Sequence, residues 1–328
     1  MAILSLPKPI FRSSPLDLSP AQNSAPEVAK PPEVYAQPAI ENPAEPRPGA
    51  GLARIWSSVR TVRPDLILAG LFVLFLVVAA VHPGWLAAGD PLEANARQAF
   101  RAPSAAHLLG TDENGRDVLT RVIYGVRPSL FMGLAATAIG LSLGTALGLV
   151  AGLGHRSVDG IVMRFVDVLL AFPDLLLALF IITFWGQGTA NAIIAVGAAS
   201  VPRFARMVRA QTHVVRRAQY VEAAITLGLL PWTLIARHVL PNAIKPVLIL
   251  ATIGIGGKIA AGASLSFLGL GTPPPAPEWG AMLSVGRNFL TNAWWLTAVP
   301  GIAVTLTVLS VTALGRELLR RSEGKTAP

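Results

Sequence analysis

The chain has no cysteine, which removes disulfides, thiolate nucleophiles and cysteine-based zinc sites together. Charge is also scarce: 14% of the 328 residues are Asp, Glu, Lys or Arg, where soluble domains carry roughly 25%. The chain lacks a Gly-x-x-x-x-Gly-Lys-Ser/Thr phosphate loop. The nearest approach, Gly254-Ile255-Gly256-Gly257-Lys258, has Thr252 in place of the first glycine and Ile259 in place of the hydroxyl. His82, His107, His155, His213 and His238 are scattered, without a His-Glu-x-x-His pair. These absences leave no catalytic residues, no cofactor-binding residues and no metal ligands to name. Asp112-Glu113-Asn114-Gly115 lacks the alternating ligands and distal Glu of a calcium loop.

What is present is apolar. Hydrophobic residues make up 52% of the chain and the mean hydropathy is +0.55. The net charge of +9 would suit nucleic acid on a soluble fold with a basic face. Here the cations lie between long apolar runs, so no nucleic-acid partner is expected. Residues 1–50 hold 11 of the 27 prolines and show no repeating apolar face. They read as a disordered tail, extending over 1–62, rather than a signal peptide, since Pro7 and Pro9 break the first apolar run. Pro31-Pro32 and Pro46-x-Pro48 leave open a short docking motif or a plain extension.

Six apolar stretches follow, near residues 66–88, 130–153, 161–185, 189–201, 246–268 and 295–314. Each approaches the ~20 residues a bilayer requires, the fourth by extension through Pro202 and Phe204. The expected fold is therefore all-α, a six-span membrane bundle. The first span lies within 63–90, a polar segment with an amphipathic helix capped by Thr111 or Asp112 covers 91–128, and the core covers 129–320. Gly133, Gly140, Gly144, Gly148 and Gly152 supply small residues for close helix packing in lipid. Arginines before span one, between spans four and five and after span six place both termini and the 203–245 loop in the cytoplasm, and 91–128 opposite.

Charges inside spans are costly, at least ~2.5 kcal/mol at the bilayer centre. Lys258 in span five reads as a cation lining a polar pathway, a pair with a partner subunit's acid, or a snorkelling side chain. Asp174, beside Pro173, reads as cavity lining or part of a kink; Asp167 is within reach of Arg164 one turn away. Arg203, Arg206 and Arg209 step by three, as a stripe suited to lipid phosphate.

The stretch Glu222–Pro241, EAAITLGLLPWTLIARHVLP, reads as a helical hairpin. Gly228 supplies the turn, Pro231 opens the second helix and Pro241 ends it. Its apolar side chains, on a loop expected in the cytoplasm, call for a partner.

Glu222-Ala223-Ala224-x3-Gly228-x9-His238-x-Leu240-Pro241 resembles the EAA loop of binding-protein-dependent ABC importer permeases. Leu109-Gly110-Thr111-Asp112 with Gly115-Arg116-Asp117-Val118, the run Ala263–Gly271, and Glu278-Trp279-Gly280-Ala281-Met282 resemble the dipeptide/oligopeptide/nickel subgroup, in its second (DppC/OppC-like) permease. The likeness covers about residues 60–315. It implies a type I ABC importer transmembrane domain, an inner-membrane subunit that is not itself an enzyme. The implied docking core for a cytoplasmic ATPase is Glu222, Ala223, Ala224 and Gly228, with His238, Leu240 and Pro241 closing the second helix. Implied partners are a second, different permease, two ATPase subunits that bind ATP, a solute-binding protein and membrane lipid. Peptides or similar small solutes are the implied cargo; nickel or another non-peptide solute is the alternative, and a non-transporting scaffold the reading from another class. The chain departs from its relatives at Gly262, where they usually carry Glu, and at Lys258, where they carry a small or apolar residue. It also lacks their Asp-Pro ending, reading Leu314-Gly315-Arg316-Glu317.

Overall fold

The computed structural model describes residues 64–322, so the tail expected over 1–62 lies outside the described residues. Among those residues no strand forms, and the single bridge joins Thr111 to Asp117. The all-α expectation holds.

Helix α1, Pro64–Val81, is apolar throughout. It stops before His82-Pro83, because proline lacks an N–H and disfavours helical geometry in the residue before it. The expected first span to Ala88 is thus shorter, and residues 83–85 form a 3₁₀ turn.

Helix α2, Val118–Leu153, runs 36 residues, about 54 Å at 1.5 Å per residue. Its cap is Asp117, which accepts from the Thr120 backbone N–H at 2.8 Å and hydroxyl at 2.9 Å. Two expectations fail here: neither Thr111 nor Asp112 is the cap, and the amphipathic helix continues through Pro128 into the second span. Asp112 instead accepts from its own loop (the N–H groups of Asn114 and Arg116, both 2.9 Å) and from Arg116 Nε at 2.6 Å, with Arg121 Nε at 3.4 Å. Arg121 also donates to the carbonyls of Pro91 and Pro275. Gly115 takes φ +72 there, where a Cβ would stand 1.9 Å from the Asn95 carbonyl oxygen.

The third span is not a kinked rod. Helices α3, Arg156–Leu170, and α4, Asp174–Trp185, meet at 96° across Ala171-Phe172-Pro173. Helix α5, Thr189–Val215, is long enough to cross, but its arginine-bearing half keeps it out of the apolar class. Four described helices qualify on length and hydropathy, or five when the bent pair counts as one span. Helix α5 stands where the fourth span was expected, at 189–201.

Of the expected glycine stripe, Gly133 packs on Ile259 of the helix that carries Lys258, and Gly140, Gly144, Gly148 and Gly152 pack α2 on α5. A Cβ on Gly144 would come 2.5 Å from Phe204 Cβ, and one on Gly148 2.7 Å from the Ala205 carbonyl oxygen. Only hydrogen fits at that separation. The same stripe contains Gly140-Leu141-Ser142-Leu143-Gly144, the spacing of a hydrolase nucleophile elbow. It lies inside continuous helix, with Ser142 Oγ donating to the Ile139 carbonyl. The strand–turn–helix that exposes such a serine is absent.

Helix α6, Gln219–Thr226, and helix α7, Pro231–Phe267, follow, then α8, Trp279–Gly286, and α9, Trp295–Ser322. One buried cluster joins Val118 and Val126 of α2 to Trp279, Met282 and Trp295. A second joins Met132 and Ala136 of α2 to Ile182, Val196 and Leu265.

Candidate functional site

Two regions carry the sequence-predicted residues, and one helix connects them.

The hairpin is as expected on its first side. Helix α6 ends at Thr226, Gly228 adopts φ +74, and Pro231 starts α7 with Leu230 as its cap. Val221 and Ala224 point inward, and Val221 joins Val215, Val239 and Ala243 in a buried cluster. Glu222 and Ala223 face outward. Around them Tyr220, Ile225, Leu227, Leu230 and Trp232 are exposed, Leu227 by 80% and Trp232 by 78%. Of the predicted docking residues, Ala224 therefore belongs to the hairpin's seat, while Glu222, Ala223 and Gly228 stand on its open surface.

The second side differs from expectation. Pro241 does not end the helix, nor does His238. Residues Ile235–Val239 form a π turn in which the Leu240 N–H reaches back to the Ile235 carbonyl, and helix continues from Leu240 to Phe267. A proline within a helix removes one hydrogen bond and its ring crowds the carbonyl four residues back. The wider π turn immediately before Pro241 makes room for that ring. Asn242 Nδ2 then donates to the His238 carbonyl at 2.7 Å. His238, Leu240 and Pro241 are half-buried at this junction.

Lys258 and Asp174, 84 positions apart in sequence, line one cavity of about 340 Å³. Asp174 opens α4, where its charge favours the helix N-terminus. It accepts from Arg203 Nη2 at 2.8 Å. Ser200 of α5 and Ser264 of α7 share the wall. Lys258 is only 8% exposed and forms no salt bridge among the described residues. Gly262, one turn along α7, packs on Met132: a Cβ there would come 2.1 Å from Met132 Sδ. No carboxylate fits at 262 without displacing that methionine.

Each arginine of the stripe pairs with an aspartate of the protein. Arg203 meets Asp174, Arg206 meets Asp167, and Arg209 grips Asp159, with Nη2 2.5 Å from Oδ2. Asp167 therefore does not pair with Arg164. These three rungs fasten the bent α3–α4 pair to α5. Sequence reasoning missed them, although aspartates at 159, 167 and 174 run in the opposite order to their partner arginines at 209, 206 and 203.

Glu278 was also passed over as chemistry. It caps α8, accepting from the Gly280 N–H at 2.8 Å and the Ala281 N–H at 2.9 Å, with Ser129 Oγ at 3.4 Å. Burial pushes its carboxyl above the usual range, against the pull of those two N–H groups. Among the described residues no three imidazole or carboxylate groups converge as a metal site.

The profile of the family described as "Binding-protein-dependent transport system inner membrane component" matches residues 144–323. The glutathione transport system permease GsiD of Pectobacterium atrosepticum is 41% identical over 255 residues, 76% of this chain and 83% of the relative. The dipeptide transport system permease DppC of Alkalihalophilus pseudofirmus is 39% identical over 252 residues, with the same two shares. The di/tripeptide permease DppC of Pseudomonas aeruginosa is 39% identical over 251, 75% of this chain and 83% of the relative. Among solved structures, a chain of the MetNI methionine ABC transporter in an inward-facing form superposes with TM-score 0.51 at 19% identity, covering 61% of this chain and 95% of that one. That likeness concerns the fold.

Proposed function

Because the chain belongs to the family of binding-protein-dependent transport system inner membrane components, we propose that it forms half of the translocation pathway of a peptide importer and receives its drive through the 219–241 hairpin. It is a multi-pass inner-membrane permease subunit of an ABC importer. In this reading its partners are a second permease, two cytoplasmic ATPase subunits that bind and hydrolyse ATP, and a solute-binding protein on the opposite face. The termini and the hairpin lie in the cytoplasm, consistent with the arginines at 203–217 and 316–321.

One observation carries the coupling. The hairpin's second arm and the cavity wall are the same helix, α7, from Pro231 to Phe267. From Trp232 to Lys258 it spans about 39 Å at 1.5 Å per residue. An ATPase gripping Glu222, Leu227, Leu230 and Trp232 would move the cavity wall through a rod, with no loop in between to absorb the motion. The π turn at Ile235–Val239 is the point where that rod can change pitch. The first helix seats the hairpin on the bundle through Val221 and Ala224, and the exposed side chains are left for the partner.

The solute then passes Asp174 and Lys258. Motion of α7 against α4 and α5 changes the space between them, while the Arg–Asp rungs hold α3, α4 and α5 together as one body. Purifying the assembly with Glu222→Arg tests the reading. The expected outcome is loss of the ATPases with the permease still inserted; retained ATPases and normal peptide uptake would refute the coupling role.

A further inference from the structure

We infer that Lys258 is the anion-binding group of the pathway, and that it takes the free carboxylate of a peptide or similar solute. This rests on the importer reading above and specifies what its cavity recognises.

The charges around the cavity are unequal. Asp174 is the one acid in its wall, and Arg203 already neutralises it at 2.8 Å. Lys258 is the second cation of that wall and forms no salt bridge among the described residues, since the wall's one acid, Asp174, is held by Arg203. Lys258 as a whole is 8% exposed, and it lines the cavity wall. A buried cation without a counter-charge is strongly disfavoured, and a ligand that supplies the missing charge is favoured in proportion. The neighbouring turn of α7 offers no substitute, because Gly262 leaves no room for an acidic side chain beneath Met132. Ser200 and Ser264 can donate further hydrogen bonds to carboxylate oxygens, but both hydroxyls already donate to their own helix: Ser200 to Val196 and Ser264 to Ala260. They would have to turn to do so, which leaves the lysine as the principal group. The volume, about 340 Å³, lies at the lower end of the ~300–1,000 Å³ typical of small-ligand pockets. It suits a chain end rather than a large solute.

The test uses the whole assembly in proteoliposomes, with its partner permease, ATPases and binding protein. Uptake is measured by mass spectrometry for a labelled pool of di- and tripeptides and for the same pool amidated at the C-terminus. The binding protein's own preference cancels when each variant's acid-to-amide ratio is divided by that of the unmodified assembly. Lys258→Gln should lower free-acid uptake about tenfold or more, as loss of a charge-assisted hydrogen bond predicts, and leave amide uptake within about twofold. Lys258→Arg should retain most of the free-acid uptake, and Lys258→Glu should push the ratio further toward amides. ATPase recovery with each variant, equal to that of the unmodified assembly, shows that the subunit is folded. An unchanged ratio in Lys258→Gln overturns the inference, whether both uptakes fall together, as for a lysine paired with the partner permease, or neither falls. If the unmodified assembly moves neither pool, the peptide-importer reading fails, and this inference with it.

Discussion

Arg209 holds Asp159 by two parallel hydrogen bonds, tying the C-terminal part of α5 to the first turn of α3 across 50 residues of sequence. The fork of a guanidinium matches the two oxygens of a carboxylate, and such pairs are the strongest of the charge-assisted kind. This rung is also the least exposed of the three: its arginine is 33% exposed and its aspartate 18%, against 58% and 37% for Arg203 with Asp174. The bent α3–α4 pair is therefore anchored most firmly at its start.

That difference can be measured. A double-mutant cycle on thermal unfolding of the purified assembly should give a coupling of about 1–3 kcal/mol for Arg209→Ala with Asp159→Ala. The exposed Arg206–Asp167 pair should give less than about 1 kcal/mol. The exchanged pair Arg209→Asp with Asp159→Arg should recover part of the loss. Equal couplings on all rungs would contradict the ranking by exposure.

On the hairpin, the inward and outward residues should fail in different ways. Trp232→Ala and Glu222→Arg should cut ATPase co-purification about tenfold or more, as loss of an interface anchor does, with no change in membrane insertion. Val221→Asp places a charge in the cluster beneath the hairpin and should loosen the hairpin itself, seen as faster proteolysis between residues 215 and 235. A Val221→Asp protein as protease-resistant as the unmodified chain would remove the buried seat.

The glycines of α2 differ from those in open positions. Gly144→Ala presses a methyl to 2.5 Å from Phe204 Cβ and should destabilise by about 1–3 kcal/mol. Gly160→Ala, where the added carbon meets nothing within 4 Å, should stabilise α3 by roughly 0.5–1 kcal/mol. The midpoint of detergent-driven unfolding reads both. Shifts of the same sign would rule out the close α2–α5 contact as the reason for Gly144.

Glu278 predicts a pH dependence. Its folded-state pKa is raised by burial above the ordinary 4.5. The folded chain therefore binds that proton more tightly than the unfolded chain. The stabilisation is complete below about 4.5 and is lost as pH rises through the folded value. Glu278→Gln keeps a carbonyl acceptor for the α8 N–H groups while abolishing the titration. Its melting temperature should stay level across that range while the unmodified chain's falls. Parallel falls would assign the dependence to another group.

By itself the sequence determined what local chemistry controls. Its apolar runs set most of the helices, Gly228 and Pro231 set the hairpin turn, and the four-residue recurrence of Gly140, Gly144, Gly148 and Gly152 on α2 marked the face that packs on α5. These depend on backbone geometry and on the cost of exposing peptide groups to lipid, which act within a few residues. Pro83 ended α1 on the same local grounds, inside the stretch 66–88 that apolarity alone read as one span. Pro241, read by the same rule, did not end α7, because a π turn upstream supplied the space its ring needs. That turn sits over the buried Val239 and Ala243, which hold the chain in line.

Only the tertiary structure decided which charges meet. Asp167 has Arg164 one turn away, yet pairs with Arg206, 39 residues on, because α5 lies alongside α3. The 96° break between α3 and α4 brings Asp174 beside Arg203 and into the same cavity as Lys258. Whether a lysine in a span is paired, snorkelling or waiting for a ligand depends on what the other helices place around it. The hairpin was legible as a turn with an apolar surface. Its direct continuation as the wall beside Lys258 followed from one unbroken helix that the prolines alone would have cut in two.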